Sequence, residues 1–176
     1  MTINNLKSKI HNRDACIAVI GLGYVGLPLA IRFSEEGFKV VGFDIDKEKV
    51  ALLNNGKSYI KHINESDIAE MVNNGLTAKT DFSDIANVDA IIICVPTPLG
   101  VHNEPDLSYI KSTLGTIKPY LKENQLLVLE STTYPGTDSF GKKVVETVLN
   151  RYQLKKVIVY SRGEVKQFEM QQIWPI

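Results

Sequence analysis

The chain has 176 residues, and its 20 lysines and arginines balance 20 aspartates and glutamates, so the formal charge is zero. A neutral chain of this length excludes a large multidomain machine, and it gives no sign of a surface that binds nucleic acid or anionic lipid. Hydrophobic residues make up 44% and charged residues 23%, as in an ordinary soluble globular domain. We therefore expect one folded domain with a real core.

Neither a membrane span nor a secretory signal is predicted. The longest apolar stretches, residues 15–22 and 90–95, are far shorter than the roughly 20 residues that cross a bilayer. The leading segment has no apolar core of the kind a signal peptide needs. Cys16 and Cys94 both fall in predicted buried strands, where a reduced thiol acts as a small apolar side chain. We therefore expect a cytoplasmic protein without a membrane partner.

Apolar runs of strand length alternate along the chain with stretches of helical period, a pattern that predicts a parallel α/β fold. The predicted strands are residues 16–20, 39–43, 76–79, 90–95, 126–130 and 156–160. The predicted helices are residues 25–36, 47–54, 65–74 and 106–119, with a further one around residues 140–149. Strands one, four and five are almost continuously apolar, as expected when helices bury both faces of a sheet.

Six strands in this rhythm predict a doubly wound parallel sheet, the Rossmann fold, with helices on both faces. Its ligand crevice would lie at the carboxyl ends of strands one and four. We assign residues 15–161 to this domain, residues 1–14 to a leading helix or arm, and residues 162–176 to an atypical, irregular tail.

A glycine-rich hexapeptide, Gly-Leu-Gly-Tyr-Val-Gly at residues 21–26, directly follows the first predicted strand. Such a hexapeptide is weak evidence alone, but here a strand precedes it, a helix follows, and the second strand ends at an acid. Gly21 would permit the tight turn, Gly23 the approach of a pyrophosphate, and Gly26 close packing of the helix. Open N–H groups and the positive helix end would then hold the phosphates. The alternative is that these glycines only make a tight turn.

An acid ends the second predicted strand, as a ribose ligand would. Asp44 lies 18 residues after Gly26, where its carboxylate could accept hydrogen bonds from the adenosine ribose. The same charge would repel a ribose phosphate, so NAD is favoured over NADP. Asp46 is the competing acid, and Asp44 is preferred because it directly follows the apolar strand. Lys49 would either reach toward the adenosine or lie on a solvated helix face.

Strands four and five end in sequences suited to line the crevice. Residues 95–98 read Val-Pro-Thr-Pro, whose prolines enforce a stiff, extended exit from the sheet. Residues 130–136 read Glu-Ser-Thr-Thr-Tyr-Pro-Gly, which would place several hydroxyls beside a nicotinamide. Ser131 and Thr132 could equally cap the helix that follows.

Together these segments resemble the UDP-glucose/GDP-mannose dehydrogenase family, through Gly-Leu-Gly-Tyr-Val-Gly-Leu-Pro at residues 21–28, Val-Pro-Thr-Pro at 95–98 and Glu-Ser-Thr-Thr-Tyr-Pro-Gly at 130–136. Ser-Tyr-Ile-Lys-His-Ile at 58–63 and Glu-Pro-Asp-Leu-Ser-Tyr at 104–109 look most like the UDP-N-acetylglucosamine 6-dehydrogenase branch, which makes sugar acids for surface polysaccharides. The resemblance covers about residues 12–161.

The resemblance implies an oxidoreductase that converts the C6 alcohol of a UDP-N-acetylhexosamine to a carboxylate in two hydride transfers to NAD. It also implies a cysteine thiolate that captures the intermediate aldehyde and a thioester that water hydrolyses. By the same resemblance, the cofactor site is lined by Tyr24, Val25, Asp44, Lys49, Val95, Thr97 and Thr132. Thr132 would also lie near the reacting carbon, which makes it the candidate catalytic residue.

The chain departs from the family after the sixth predicted strand. Residues 161–165 read Ser-Arg-Gly-Glu-Val, where the family has a Ser-Pro-Glu-Arg type motif, so Glu164 does not inherit the catalytic role of that motif's glutamate. In the family, the nucleophilic cysteine and most sugar contacts come later in the chain. We expect this length of chain to bind NAD and turn over little alone. Cys94, in an apolar strand, is a poor substitute nucleophile.

Two other functions stay open: a different NAD-dependent dehydrogenase, such as one acting on a hydroxy acid, and an NAD-binding or assembly module without catalysis. The expected partner is the UDP-sugar substrate of the complete enzyme, and a homo-oligomer is compatible with the resemblance. The three histidines have no partner at metal-ligand spacing, so no metal site is predicted.

Overall fold

The computed structural model describes residues 3–98, 106–130 and 158–159. Its sheet is parallel throughout and has six strands in the order β3-β2-β1-β4-β5-β6. The strands are β1 (Cys16–Ile20), β2 (Lys39–Phe43), β3 (Thr77–Lys79), β4 (Ala90–Ile93), β5 (Leu126–Leu129) and β6 (Ile158–Val159). This order is that of the doubly wound fold, so the predicted fold class is confirmed.

Five α-helices and two short 3₁₀ helices lie in the described part of the chain. The α-helices are α1 (Ile3–His11), α2 (Gly26–Glu35), α3 (Lys47–Asn54), α4 (Glu65–Asn73) and α5 (Ser108–Ile117). The 3₁₀ helices are Phe82–Asn87, which the sequence pattern did not predict, and Lys118–Tyr120, which ends the helix predicted over residues 106–119. That helix starts later than predicted because the Asp106 carboxylate accepts the Ser108 N–H at 2.9 Å, before the first helical turn.

The sheet carries a separate hydrophobic core on each face, because successive strand residues point to opposite sides. Ile17 and Val19 of β1 lie in one core, with Leu27 of α2. Ala18 and Ile20, the alternate residues of the same strand, lie in the other core. Helices covering both faces explain why the central strands read as continuous apolar runs.

The leading helix α1 is joined to the amino-terminal edge of the sheet through Asp89. This carboxylate accepts the backbone N–H of Cys16 at 2.9 Å and receives the Lys9 ammonium at 2.7 Å. Asp89 thereby connects α1, the start of β1 and the residue before β4. Cys16 is half-buried rather than buried as predicted, because it is the first residue of its strand and lies at this edge.

The connection that follows α2 is set by Gly37, whose φ of +83° is a conformation that favours glycine. Its N–H donates to the carbonyl of Ser34 at 2.9 Å, and that of Phe38 donates to the carbonyl of Phe33 at 3.0 Å, and these bonds close the end of the helix. In the part of the chain that the structure describes, no helix combines the length and apolarity needed to cross a bilayer. The helix predicted around residues 140–149, most of the predicted sixth strand and the tail at 162–176 lie outside the described residues.

Candidate cofactor-binding site

The glycine-rich turn begins at the point where three parallel strands end side by side. Gly21 has a φ of +89°, and its N–H donates to the carbonyl of Phe43, the last residue of β2, at 2.8 Å. A Cβ on Gly21 would stand 2.8 Å from the carbonyl oxygen of Cys94 and 3.2 Å from the nitrogen of Val95. Only glycine therefore fits between the ends of β2 and β4 at this position.

The other two glycines of the turn have opposite surroundings. A Cβ on Gly26 would stand 1.8 Å from the carbonyl oxygen of Gly21, so the first turn of α2 lies directly on the preceding turn. Nothing lies within 4 Å of the place where a Cβ on Gly23 would stand, so that position faces open space. The turn thus has two glycines required by packing, Gly21 and Gly26, and a third, Gly23, that borders open space, which we call the cradle.

Backbone N–H groups at the start of α2 face this cradle without a protein acceptor. Among the described residues, the N–H groups of Gly23, Tyr24 and Val25 make no hydrogen bond, and no side chain caps the helix. The positive end of the helix dipole lies at the same place. Open N–H groups, a positive dipole and an empty cradle fit the diphosphate of a dinucleotide.

Three exposed apolar side chains lie beside the ends of β1 and β2. Tyr24 is 78% exposed, Val25 is 55% exposed and Ile45 is 80% exposed. Scattered exposed apolar residues are ordinary, but these three lie in the turns that follow β1 and β2, at the carboxyl ends of the strands. Tyr24 and Val25 were predicted site residues. Ile45 was not predicted as a site residue, although its place directly after Asp44 could have indicated it.

Asp44 lies against the glycine-rich turn and is buried. Its Oδ2 accepts the N–H of Leu22 at 2.9 Å, and its Oδ1 accepts the N–H of Asp46 at 3.0 Å. These bonds offset the cost of burying the carboxylate. Each oxygen has a second lone pair, so the group can also accept hydrogen bonds from a ligand.

Asp46, the other candidate for the ribose ligand, caps helix α3 instead. One of its carboxylate oxygens accepts the N–H groups of Glu48 at 3.0 Å and Lys49 at 3.2 Å, and so caps α3. Its other oxygen lies 3.7 Å from the ammonium of Lys49. The geometry therefore favours Asp44 as the acid that meets a ligand at the glycine-rich turn.

Lys49 and Tyr59 form a second layer around the turn. The Lys49 ammonium lies 5.8 Å from the centre of the Tyr59 ring, within range of a cation–π contact. The Tyr59 hydroxyl donates to the carbonyl oxygen of Leu22. Burial, and then the negative charges of Asp44 and Asp46, raise the pKa of Tyr59, so its hydroxyl keeps the proton that it donates. Tyr59 was not predicted as a site residue, although it lies in the segment at residues 58–63 that resembles the family. Nothing in its spacing along the chain indicates a contact with the glycine-rich turn.

The end of β4 supplies the other wall of the crevice. Val95 and Thr97 are half-buried there, and the Val95 nitrogen adjoins Gly21 as described above. The structure thus brings the glycine-rich turn, Asp44, Lys49 and the exit from β4 to one edge of the sheet. Ser131 and Thr132 lie outside the described residues, so their assignment stays a prediction.

Cys94 lies beside the crevice, but its surroundings disfavour the thiolate that a nucleophile needs. Burial, and then the negative charge of Glu130, raise the pKa of Cys94 to about 12. A Cβ on Gly26 would come within 3.2 Å of the Cys94 Cβ, so the cysteine packs directly under the first turn of α2. The close packing of α2 on β4 at this position requires a small side chain, which cysteine provides.

Comparison with known proteins decides the family. The profile of the NAD-binding domain of the UDP-glucose/GDP-mannose dehydrogenase family matches residues 15–166. The chain belongs to this family. The sequence resemblance to it is therefore confirmed, and so is NAD as the cofactor of the domain.

Individual relatives support the same family assignment. A UDP-N-acetyl-D-mannosamine dehydrogenase of Pyrococcus horikoshii is 38% identical over 137 residues, which is 75% of this chain and 32% of the relative. A UDP-N-acetyl-D-glucosamine 6-dehydrogenase of Pseudomonas aeruginosa is 36% identical over 124 residues, 70% of this chain and 29% of the relative. A solved UDP-D-ManNAc dehydrogenase from Pyrococcus horikoshii superposes with a TM-score of 0.70 at 31% identity, covering 88% of this chain and 38% of that one. The chain thus spans about a third of the length of the relatives it matches.

The contrast between Gly23 and Gly26 yields a prediction. We expect Gly23→Ala to change the free energy of unfolding by no more than about 0.5 kcal/mol, because its Cβ meets open space. NAD affinity should fall about tenfold or more, because the methyl group enters the cradle and displaces a charge-assisted hydrogen bond. Gly26→Ala should cost about 3 kcal/mol or more of folding stability, because its Cβ collides with backbone. Urea unfolding measures the folding stability of the two variants, and calorimetric titration measures their NAD affinity. Normal NAD binding by Gly23→Ala would contradict the proposal that the diphosphate lies in the open space beside Gly23.

The raised pKa of Cys94 predicts slow alkylation. With a pKa of about 12, about one thiol in ten thousand is ionised at pH 8, against about a quarter for an unperturbed cysteine. In a Cys16→Ser variant, which leaves Cys94 alone, we expect iodoacetamide to react at least about a hundredfold more slowly in the folded protein than in urea. Equal rates in the two states would show that the thiol is neither buried nor suppressed.

Proposed function

We propose that this chain is the cofactor-binding part of an enzyme that oxidises the C6 alcohol of a UDP-N-acetylhexosamine to a carboxylate. The observation that carries the proposal is the set of open N–H groups at Gly23, Tyr24 and Val25, next to the buried carboxylate of Asp44, in a chain of this dehydrogenase family. Relatives named for UDP-N-acetyl-D-mannosamine and UDP-N-acetyl-D-glucosamine support the class of substrate.

Each group in the site has a distinct part in the proposal. The N–H groups at the start of α2 bind the diphosphate, and Asp44 accepts hydrogen bonds from the adenosine ribose. Tyr24, Val25 and Ile45 cover the apolar surfaces of the bound dinucleotide. Val95 and Thr97, with Ser131 and Thr132, line the nicotinamide end, and Thr132 lies near the reacting carbon.

NAD, when bound, supplies the hydride acceptor, and each complete oxidation to the acid uses two. Between the two hydride transfers, a thiolate adds to the aldehyde, and water later hydrolyses the thioester formed from it. We assign that thiolate, and most contacts to the sugar, to parts of the enzyme beyond the third that this chain matches in its relatives. The product, a nucleotide-linked sugar acid, serves polysaccharide synthesis.

We also propose a cytoplasmic location. The two cysteines of the chain, Cys16 and Cys94, are both free thiols, which suits a reducing compartment. The nucleotide-sugar substrate and NAD would meet the enzyme there.

The function is tested by separating cofactor binding from turnover. In calorimetry we expect this 176-residue chain to bind NAD. Mixed with NAD and either UDP-N-acetylglucosamine or UDP-N-acetylmannosamine, it should give no steady rise in absorbance of reduced nicotinamide, because the nucleophile lies elsewhere. Failure to bind NAD would contradict the proposed site, whereas steady turnover would contradict the assignment of the chemistry to other parts of the enzyme.

The ribose contact is tested with a matched pair of acids. Asp44→Asn should weaken NAD about 10- to 100-fold, because it removes a charged acceptor worth about 1.5–3 kcal/mol. NADP should be affected less, since the repulsion of its ribose phosphate disappears at the same time. Asp46→Asn removes an equal charge two residues away, and asparagine is still a good helix cap, so NAD affinity should stay within about twofold. The assignment of Asp44 fails if the two variants lose the same NAD affinity.

A further inference from the structure

The hydroxyl of Tyr59 is bonded to the glycine-rich turn from a distant part of the chain. Tyr59 lies in the connection between α3 and α4, and it donates to the carbonyl oxygen of Leu22, 37 residues away in sequence. A carbonyl can only accept, so the proton in this bond belongs to the tyrosine. Tyr59 is half-buried, and its hydroxyl makes a direct hydrogen bond from this connection to the backbone of the turn.

The carbonyl that Tyr59 holds belongs to the same peptide unit as the N–H of Gly23. A trans peptide is planar, and its C=O and N–H point in opposite directions. Holding the Leu22 oxygen on one side therefore aims the Gly23 N–H to the other side, where the cradle is open. A hydrogen bond accepted at the C=O also polarises the peptide and makes its N–H a stronger donor.

The preceding peptide unit is fixed independently. The Leu22 N–H donates to the buried carboxylate of Asp44 at 2.9 Å. Two consecutive peptides are thus anchored by two side chains from different parts of the chain, and the Lys49 ammonium lies 5.8 Å from the centre of the Tyr59 ring. In the proposed function Asp44 also accepts hydrogen bonds from a ligand, whereas the one hydrogen that the Tyr59 hydroxyl can donate is committed to the turn.

We propose that Tyr59 is a positioning residue of the dinucleotide site and acts through the Gly23 amide on the diphosphate bridge. The proposal rests on the proposed binding of NAD at this turn. The hydroxyl makes the hydrogen bond to the turn, while the ring packs against the buried cluster that includes Leu22. We therefore expect the hydroxyl to control the affinity for the diphosphate and to leave the adenosine contacts unchanged.

The test removes only that oxygen. Tyr59→Phe in the 176-residue chain should weaken NAD and ADP by the same factor, about fivefold for the loss of one hydrogen bond, in calorimetric titrations. Binding of adenosine, which has no phosphate, should be unchanged when followed by NMR at millimolar concentration. The matched control is Tyr120→Phe, a half-buried tyrosine before β5 at the opposite edge of the sheet, which should change none of the three affinities.

The outcomes separate the two proposals. An unchanged ADP affinity in Tyr59→Phe, or an equal loss for adenosine, overturns the positioning role, because a merely structural hydroxyl would affect all ligands alike. A wild-type chain that binds neither NAD nor ADP contradicts the proposed function instead.

A second measurement needs no ligand. In protein labelled with ¹⁵N-glycine, Tyr59→Phe should move the amide proton of Gly23 upfield, because its peptide loses the hydrogen bond at the carbonyl. The amide of Gly37, at the far end of α2, should stay in place. A Gly23 resonance that does not move overturns the proposal whatever the ligand titrations give.

Discussion

The close approach of Gly26 to Gly21 is the constraint on which the site depends. A Cβ on Gly26 would stand 1.8 Å from the Gly21 carbonyl oxygen, and one on Gly21 would stand 2.8 Å from that of Cys94. The first turn of α2 therefore lies directly on the turn that follows β1, and on the small side chain of Cys94 at the end of β4. This proximity puts the open N–H groups and the positive end of the helix dipole inside the crevice rather than above it.

Leu22 fixes the geometry of the glycine-rich turn, because its N–H, its carbonyl and its side chain are each held by a contact. Its N–H is bound by Asp44 and its carbonyl by Tyr59. Its side chain is fully buried and lies over Gly42 of β2, where a Cβ would stand 2.9 Å from the nearest leucine carbon. A residue that contacts no ligand in the proposed site thus determines where the neighbouring amides point. Fixed amides cost less entropy when they bind an anion than amides that must be ordered first.

The strands and the glycine-rich turn could be predicted from sequence because local signals specify them. Apolar runs located β1 and β2 to the residue, and the acid that ends β2 is indeed beside the turn. The 3₁₀ helix at Phe82–Asn87 was missed because it is too short to show a period, and Asp81 starts it by accepting the Ser83 N–H at 2.9 Å. Tyr59 was missed because its contact is long-range and to backbone, which no sequence spacing records.

The packing of Cys94 bears on the proposed division between dinucleotide binding and aldehyde capture. The first turn of α2 packs on a small, neutral thiol, whose pKa burial and Glu130 raise to about 12. A nucleophilic cysteine needs the opposite, an accessible thiolate favoured by nearby positive charge. Exposing Cys94 would separate α2 from β4 and remove the approach that creates the phosphate cradle. Cys94 is therefore unsuited to the aldehyde capture of the proposed reaction, which the proposal assigns to parts of the enzyme beyond the third that this chain matches in its relatives.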